Sequence, residues 1–534
     1  MNLLKMTKNA AAKAAALIFL FQRDKLLLIL KVFFGKRVIL MVRESGILMP
    51  MSSLPSPYGI GTMGKSAYRF VDFLKAAGQK YWQLLPLGPT SYGDSPYSSF
   101  STFAGNPYYI DLDLLVKDGL LRRGEITGRD WGEDPERVDY GRIYEHRFEV
   151  LRLAYARGKE KLAEELAAFR QENAAWLEDY ALFMAVKRSF GMVSWVEWPD
   201  EAIRLHKPEA VDQYRRELAD DVDFWCFLQF LFFRQWKALR AYAHDKGIEF
   251  IGDVPIYVAL DSADVWSAPR FFQLDENNLP TEVAGCPPDA FTEDGQLWGN
   301  PLYDWDKMKA DGFGWWIRRI EGAEKLFDVI RIDHFRGFES YWAVPYGDKT
   351  ARRGRWRPGP GMDLVGVLTS WFHKLRFIAE DLGFMTPEVK KLLADSGLPG
   401  MKVLEFGFDA KGESDYMPHN CVNRSVCYVG THDNEVVNGW LKSTDRATLR
   451  YAADYMHKTA DESWCWAMIR TGMSTASQLF VMQMQDVLEL PASARMNCPG
   501  TATGNWQWRM RPDAIDAKLA RKIRRCTETY RRLP

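Results

Sequence analysis

The sequence predicts a (β/α)8 barrel, the TIM barrel, with inserted and mainly helical subdomains. Two observations predict this fold. Short apolar segments alternate with amphipathic helical stretches along most of the 534 residues, a pattern typical of a parallel sheet with crossover helices. Polar residues follow several of these apolar segments, as expected in a barrel whose functional side chains lie at the carboxyl ends of its strands.

Eight segments have the length and composition of buried strands: residues 46–50, 81–87, 250–258, 328–335, 376–382, 400–408, 425–433 and 479–484. Between the first two, residues 66–77 place Phe70, Phe73 and Leu74 on one helical face, and Gly78 provides a stop signal. Between the second and third lie about 160 residues rich in Glu, Arg, Ala and Trp. This stretch is too long for a connector, so we predict a helical insertion at about 107–240.

The first 44 residues differ from the rest. Two apolar runs, 14–21 and 26–30, are shorter than the roughly 18 to 20 residues that cross a bilayer. Lysines precede the first run, as in a signal peptide, but no small-residue cleavage site follows it. We interpret residues 1–44 as a leader that is non-native or a mispredicted start, with Met41 as the real start, and residues 45–534 as the barrel.

Charge and cysteine content exclude several classes of protein. Lys plus Arg and Asp plus Glu both number 70, so we expect no binding to nucleic acid or to an anionic membrane, and a neutral small molecule or polymer as partner. The seven cysteines are an odd number without a C-x-x-C pair. This count favours reduced thiols and a cytoplasmic location, and no zinc site is expected.

Carboxylates stand near the ends of four predicted strands, where a purely structural strand would carry Val, Ile or Leu. They are Asp253, Asp333, Glu380 and Asp433. A single one would be expected as a loop cap or an ion-pair partner. Four of them on four strands predict a site at one end of the barrel.

Three of these carboxylates suit the cleavage of a glycosidic bond, which needs one carboxyl group as acid and another to attack or stabilise the sugar carbon. Arg331 and Asp333 are two apart on a strand and share a side, so we expect the guanidinium to lower the pKa of Asp333, as a nucleophile requires. Glu380 follows three apolar residues, which predicts the raised pKa of a general acid. His432 and Asp433 are suited to bind sugar hydroxyls, and Asp433 to favour the positively charged transition state.

Eight stretches of the chain together resemble one known family. In order they are SGILMPMSSLPSPYGIGTMG, WQLLPLGPTSYGDSPYSSFSTFAGNP, GDVPIYVALDSADVW, GCPPDAFTEDGQLWGNPLY, VIRIDHFRGF, AEDLG, GTHDN and MNCPGTATGNWQWRM. From about Ser45 to about Arg509 the sequence resembles the amylomaltases, the 4-alpha-glucanotransferases of glycoside hydrolase family 77.

The resemblance implies that Asp333 is the nucleophile, Glu380 the general acid and then base, and Asp433 the transition-state stabiliser. It also implies a set of substrate contacts: Tyr97, Asp289, Trp298, Arg331, His334 and His432. Asp253 resembles the first aspartate of the wider alpha-amylase superfamily, and both direct sugar contact and a supporting role remain open for it. Residues 259–265 correspond to a loop that folds over the substrate.

The expected substrates are maltodextrin, amylose and glucose, with no metal or organic cofactor, in a monomer or homodimer. A retaining double displacement predicts that Asp333 and Glu380 lie roughly 5 to 5.5 Å apart. One alternative is an alpha-glucan hydrolase or branching enzyme of the alpha-amylase superfamily, because fold does not decide function. The other is a catalytically silent glucan-binding protein, which would be expected to lack one of the three carboxylates.

Overall fold

The computed structural model describes residues 43–91, 93–288, 292–501 and 503–534. The predicted leader therefore lies outside the described residues, apart from its last two positions. Within the described residues the chain forms twelve strands: β1 Glu44–Leu48, β2 Tyr81–Gln83, β3 Glu249–Pro255, β4 Glu282–Cys286, β5 Gln296–Pro301, β6 Val329–Asp333, β7 Ser340–Pro345, β8 Arg355–Pro358, β9 Arg376–Ala379, β10 Gly400–Val403, β11 Ser425–Tyr428 and β12 Leu479–Gln483.

Eight of these strands form one parallel sheet in the order β10-β11-β12-β1-β2-β3-β6-β9. Its two outer strands approach each other, and the backbone N–H of Ala379 donates to the carbonyl oxygen of Pro399 at 2.9 Å. The sheet is thus a nearly closed barrel, and the prediction of a (β/α)8 barrel is confirmed. All eight predicted strands are present, although most end several residues earlier than the apolar runs indicated.

Nineteen helices are described, of which the first follows β1 and the last ends near the carboxyl terminus. They are α1 Lys65–Ala76, α2 Leu112–Lys117, α3 Gly124–Thr127, α4 Tyr140–Lys161, α5 Ala163–Glu172, α6 Leu177–Ser189, α7 Glu201–Arg204, α8 Pro208–Glu217, α9 Ala219–Asp245, α10 Ala263–Ser267, α11 Trp305–Ala310, α12 Gly314–Leu326, α13 Met362–Trp371, α14 Pro387–Ser396, α15 Val437–Ser443, α16 Arg446–Tyr455, α17 Trp464–Ser474, α18 Met484–Val487 and α19 Ala517–Thr529.

Local signals define the ends of the crossover helices, as α14 illustrates. The Thr386 hydroxyl accepts a hydrogen bond from the backbone N–H of Val389, and Pro387 takes the first helical position. Gly397 ends the helix with φ at 69°, a left-handed conformation that suits glycine. Gly78 follows α1 with φ at 69°, in agreement with the predicted stop.

Helices α2 to α9 lie between β2 and β3. The long helix α9 packs against α6 and α4, and also against α1 of the barrel, before the chain enters β3. The treatment of residues 107–240 as a separate inserted subdomain stays a prediction. None of the helices described between residues 43 and 534 has the length and apolar character needed to cross a membrane.

Four further strands, which the sequence analysis missed, form an antiparallel sheet in the order β5-β4-β7-β8. Strands β4 and β5 follow barrel strand β3, whereas β7 and β8 follow barrel strand β6. Both pairs therefore belong to connections that leave the carboxyl ends of barrel strands. This second sheet lies on the side of the barrel that carries the candidate site.

Candidate active site

The register of β3 and β6 places Asp253 directly opposite Arg331. Arg331 Nη1 donates to both oxygens of Asp253, at 2.7 and 2.6 Å, and to Oδ1 of Asp333 at 2.9 Å. Side chains two apart on a strand point the same way, which explains why one guanidinium reaches both carboxylates. The Asp253 side chain is fully buried, whereas 26% of the Asp333 side chain is exposed. Asp253 thus fixes Arg331 from the buried side of the site, whereas the Asp333 side chain is accessible to a ligand.

Glu380 lies one residue beyond β9, and its backbone continues the ladder with β6. Its N–H donates to the carbonyl oxygen of Ile332 at 3.0 Å. Both side-chain oxygens accept backbone hydrogen bonds, Oε2 from His334 at 2.7 Å and Oε1 from Leu382 at 2.8 Å. The carboxyl group is therefore fixed beside the end of β6, where Asp333 stands.

Burial is the main influence on the pKa values of Asp333 and Glu380. Burial raises the pKa of Asp333 well above its usual range, and the neighbouring charges of Asp253, Glu380 and Asp433 act in the same direction. Arg331 lowers this pKa, as the sequence analysis expected, but the net direction we expected was wrong. The reason is that burial of the Asp333 carboxyl group outweighs the effect of Arg331, which also pairs with Asp253. Burial also raises the pKa of Glu380, in agreement with expectation.

Asp433 and His432 follow β11 and are held by the segment that follows β12. Asn497 Nδ2 donates to Oδ1 of Asp433 at 2.6 Å, and its backbone N–H donates to the carbonyl oxygen of His432 at 3.1 Å. His432 Nε2 lies 3.3 Å from Oδ2 of Asp433, and its buried Nδ1 has no hydrogen-bond partner. Burial lowers the pKa of His432, so the ring is neutral near pH 7.

Arg495 joins the segments that carry Asp433 and Asn497. Its Nη2 donates to the carbonyl oxygen of Asp433 at 2.8 Å, and its Nε donates to that of Asn497 at 2.7 Å. Its Nη1 forms an ion pair with Glu435. Neither Arg495 nor Asn497 was predicted from the sequence. The only signal for Asn497 was its place in the stretch MNCPGTATGNWQWRM.

Aromatic rings line the site on two sides. On one side Tyr97 stacks on His432 with ring centroids 5.2 Å apart and planes at 14°, and Trp506 lies 5.8 Å from Tyr97. The Tyr97 hydroxyl donates to Oδ2 of Asp253 at 2.6 Å, which fixes the ring. On the other side Trp298 meets His334 edge-on at 4.8 Å. Trp506 was also missed; it lies in the same family stretch as Asn497, but nothing in its local pattern separates it from a core tryptophan.

His334 directly follows β6 and has a left-handed backbone, with φ at 53°. This turn directs its N–H toward Glu380. Burial lowers the pKa of its ring to about 3, so the imidazole is neutral and suited to hydrogen-bond a hydroxyl. The structure thus brings together eight of the nine residues selected from the sequence. Asp289 lies outside the described residues.

Residues 259–265, predicted to cover the substrate, are anchored to neighbouring elements. Asp261 pairs with the buried Lys187 at 2.6 Å, and Trp195 Nε1 donates to the carbonyl oxygen of Leu260 at 2.7 Å. Asp264 accepts a hydrogen bond from the backbone N–H of Thr102 at 2.8 Å. The movement of this segment over a substrate stays a prediction.

The arrangement suits a reaction that develops positive charge on a neutral ligand. Two carboxylates contact one guanidinium, Glu380 and Asp433 lie near enough to Asp333 to raise its pKa, and both histidines of the site are neutral. Preorganised negative groups of this kind stabilise an oxocarbenium-like transition state. In the described residues, no group of three or more His, Cys, Asp or Glu side chains could hold a metal ion.

Comparison with known proteins places this geometry in a family. The family model described as 4-alpha-glucanotransferase, of glycoside hydrolase family 77, matches residues 49–515. The 4-alpha-glucanotransferase of Clostridium butyricum is 48% identical over 486 residues, covering 91% of this chain and all of the relative. That of Streptococcus pneumoniae TIGR4 is 49% identical over 493 residues, covering 92% of this chain and 98% of the relative.

Solved structures agree with these matches. The amylomaltase from Streptococcus agalactiae in complex with acarbose superposes with a TM-score of 0.90 at 44% identity, covering 92% of this chain and 100% of that one. The amylomaltase from Corynebacterium glutamicum superposes with a TM-score of 0.73 at 19% identity, covering 92% of this chain and 75% of that one. The second likeness concerns the fold alone.

Proposed function

The chain belongs to the 4-alpha-glucanotransferases of glycoside hydrolase family 77, and we propose that it acts through Asp333, Glu380 and Asp433. In this proposal it transfers an α-1,4-glucan segment from a donor to the 4-hydroxyl of an acceptor by a retaining double displacement. The observation that carries the proposal is the pair of carboxyl groups at the ends of β6 and β9. One contacts Arg331, and the other is held by two backbone N–H groups.

In the first step Asp333 attacks the anomeric carbon while Glu380 protonates the departing glycosidic oxygen. The bond between the sugar carbon and that oxygen breaks as the bond to Asp333 forms. Contact with Arg331 favours the ionised form of Asp333, and burial favours the protonated form of Glu380. Burial raises the pKa of Asp333 as well, so we place the proton on Glu380 because Asp333, and not Glu380, accepts a hydrogen bond from Arg331.

In the second step Glu380 acts as base. It accepts the proton of an acceptor 4-hydroxyl, whose oxygen displaces Asp333 and restores the original anomeric configuration. We assign Asp433 to the stabilisation of positive charge in both transition states. The proposed sugar contacts come from aromatic, histidine and other polar residues: Tyr97, Asp289, Trp298, Arg331, His334 and His432.

Transfer prevails over hydrolysis if the acceptor is bound while water is kept from the intermediate. The rings of Tyr97, His432 and Trp298 support this role, and we assign a contribution to residues 259–265. Maltodextrin and amylose are the proposed donors, with glucose or another glucan as acceptor. A cytoplasmic location is part of the proposal, supported by the odd number of cysteines and the lack of a C-x-x-C pair.

The test is incubation of the purified protein with maltotriose, followed by chromatography of the products and a glucose assay. We expect longer maltodextrins together with glucose from the wild type, and neither from Asp333→Asn. Reducing ends that rise without longer chains would indicate a hydrolase, and new α-1,6 bonds would indicate a branching enzyme. Absence of turnover in the wild type would contradict the proposal and favour a silent binding protein.

A further inference from the structure

The second sheet carries a row of positions that crosses all four of its strands. Leu297 of β5 lies opposite Gly285 of β4, Gly285 lies opposite Trp342 of β7, and Trp342 lies opposite Trp356 of β8. Residues directly opposite each other in a sheet project from the same face. We call Leu297, Trp342 and Trp356 the indole row, after its two tryptophans. It spans three gaps between strands, about 14 Å, which exceeds one sugar ring.

Both ends of the indole row are exposed, and its middle member, Trp342, is partly buried. Trp342 packs on the small apolar cluster of Val283, Val344 and Ala351, and its Nε1 donates to the carbonyl oxygen of Ala351 at 2.9 Å. Trp356 meets Trp342 edge-on with ring centroids 5.2 Å apart, yet 40% of Trp356 stays exposed. Leu297 is exposed to 38%. Large apolar side chains exposed together mark a binding surface more often than single ones do.

Arg336 holds the Trp356 ring in place. Its guanidinium carbon lies 4.1 Å from the centroid of the indole, and the arginine itself is buried. Arg336 Nη2 donates to the Ser340 hydroxyl at 3.2 Å, and Nε has no hydrogen-bond partner. Among the described residues Arg336 forms no ion pair within 4.0 Å, and its charge lies against the indole face and near Glu339. One face of Trp356 is thus covered, which leaves the other for a ligand.

The indole row and the candidate active site lie on opposite faces of the edge strand β5. Trp298, the residue after Leu297, meets His334 edge-on at 4.8 Å. Successive residues of a strand project to opposite faces, so β5 directs Trp298 to the site and Leu297 to the row. Arg336 lies two residues after His334. A chain bound at the site therefore needs only to pass the edge of β5 to reach the indole row.

We propose that the indole row is an accessory binding surface for the α-1,4-glucan chain, beyond the sugars held at the cleavage site. Flat indole rings suit the apolar faces of glucose units. The indole row itself contains no charged side chain, and the nearby Arg355 and Arg357 both pair with Glu282, so the surface suits a neutral polymer. This inference rests on the proposed function. It adds that long glucans bind more tightly than short ones through Trp356.

The experiment measures binding to amylose in the Asp333→Asn background, where the glucan stays intact. Native gels containing amylose compare Trp356→Ala and Trp356→Tyr with the matched control Trp371→Ala, which removes a tryptophan exposed to 61% at the end of α13. We expect the dissociation constant to rise about three- to tenfold for Trp356→Ala, less for Trp356→Tyr, and not for the control.

Kinetics with otherwise wild-type protein complete the test. Trp356→Ala should raise KM for amylose by a similar factor, and by much less for maltotriose. Unchanged amylose retention in both Trp356 variants would overturn the inference, as would equal effects on amylose and maltotriose. A changed oligomeric state with unchanged retention would indicate contact between copies instead. Wild-type turnover of maltotriose tests the proposed function separately, because retention in the Asp333→Asn background requires no catalysis.

Discussion

The backbone N–H of His334 donates to Oε2 of Glu380 at 2.7 Å, and His334 is the residue that follows Asp333. The end of one barrel strand therefore positions both carboxyl groups proposed for the reaction. The left-handed turn at His334 makes this contact, so the relative placement of the two groups depends on backbone geometry.

Replacement Glu380→Gln should separate the acid role from the nucleophile role. The amide cannot donate a carboxyl proton, so we expect kcat on maltotriose to fall by about 10²- to 10⁴-fold. A glycosyl fluoride donor needs no protonation of its leaving group, and its first step should be largely retained. The control is Asp333→Asn, which should lose both reactions. Equal loss of both reactions in Glu380→Gln would contradict the assignment of the acid.

The pH profile of kcat/KM should be displaced upward from that of ordinary carboxyl groups. Activity needs Asp333 ionised and Glu380 protonated, and burial raises both pKa values. Activity should therefore fall as pH drops through the lower pKa of the pair and as pH rises through the higher one. Both limbs should lie above the ordinary range of carboxyl groups, about pH 4. A profile from pH 3.5 to 9 with maltotriose tests this, and an acid limb at or below pH 4 would contradict it.

Arg495 should act as a positioning residue for Asp433. It bonds the carbonyl oxygens of Asp433 and Asn497, so Arg495→Ala should free both segments and reduce kcat by about ten- to hundredfold, with a smaller change in KM. The matched control is Arg470→Ala, because Arg470 also pairs with a carboxylate, Glu462, and a backbone carbonyl. The control should lower the melting temperature without lowering kcat. Equal kcat losses in the two variants would indicate a purely structural role.

Asp486 should make stability depend on pH. It is fully buried with Oδ2 unpartnered, and burial raises its pKa to about 7. The folded state then holds a proton that the unfolded state loses near pH 4, so this group's contribution to stability is present below pH 4 and is lost as pH rises to 7.

The variant Asp486→Asn should therefore raise the free energy of unfolding at pH 8 by up to about 4 kcal/mol, with no gain at pH 4. Urea titrations at the two pH values measure the difference. Asp212→Asn serves as control, since its side chain is exposed to 66% and should change neither value. The same gain at both pH values would contradict a role for ionisation.

The sequence by itself determined the barrel and much of the site. Apolar runs and helical periodicity are local patterns, so the eight strands could be located one at a time. Side chains two apart on a strand project to the same side, so Arg331 and Asp333 could be placed together from their own strand alone. The motifs of the family then selected the remaining candidates, of which Asp289 lies outside the described residues.

Only the tertiary structure decided which distant groups meet. The register of β3 and β6 brings Asp253 to Arg331, and the bonds of Asn497 and Arg495 to Asp433 cross 64 and 62 residues of chain. The second sheet was not predicted from the sequence because its short strands alternate with loops and lack long apolar runs. The net pKa direction of Asp333 also depended on the fold. Burial and through-space charge depend on three-dimensional distances, which neighbouring residues in a sequence do not specify.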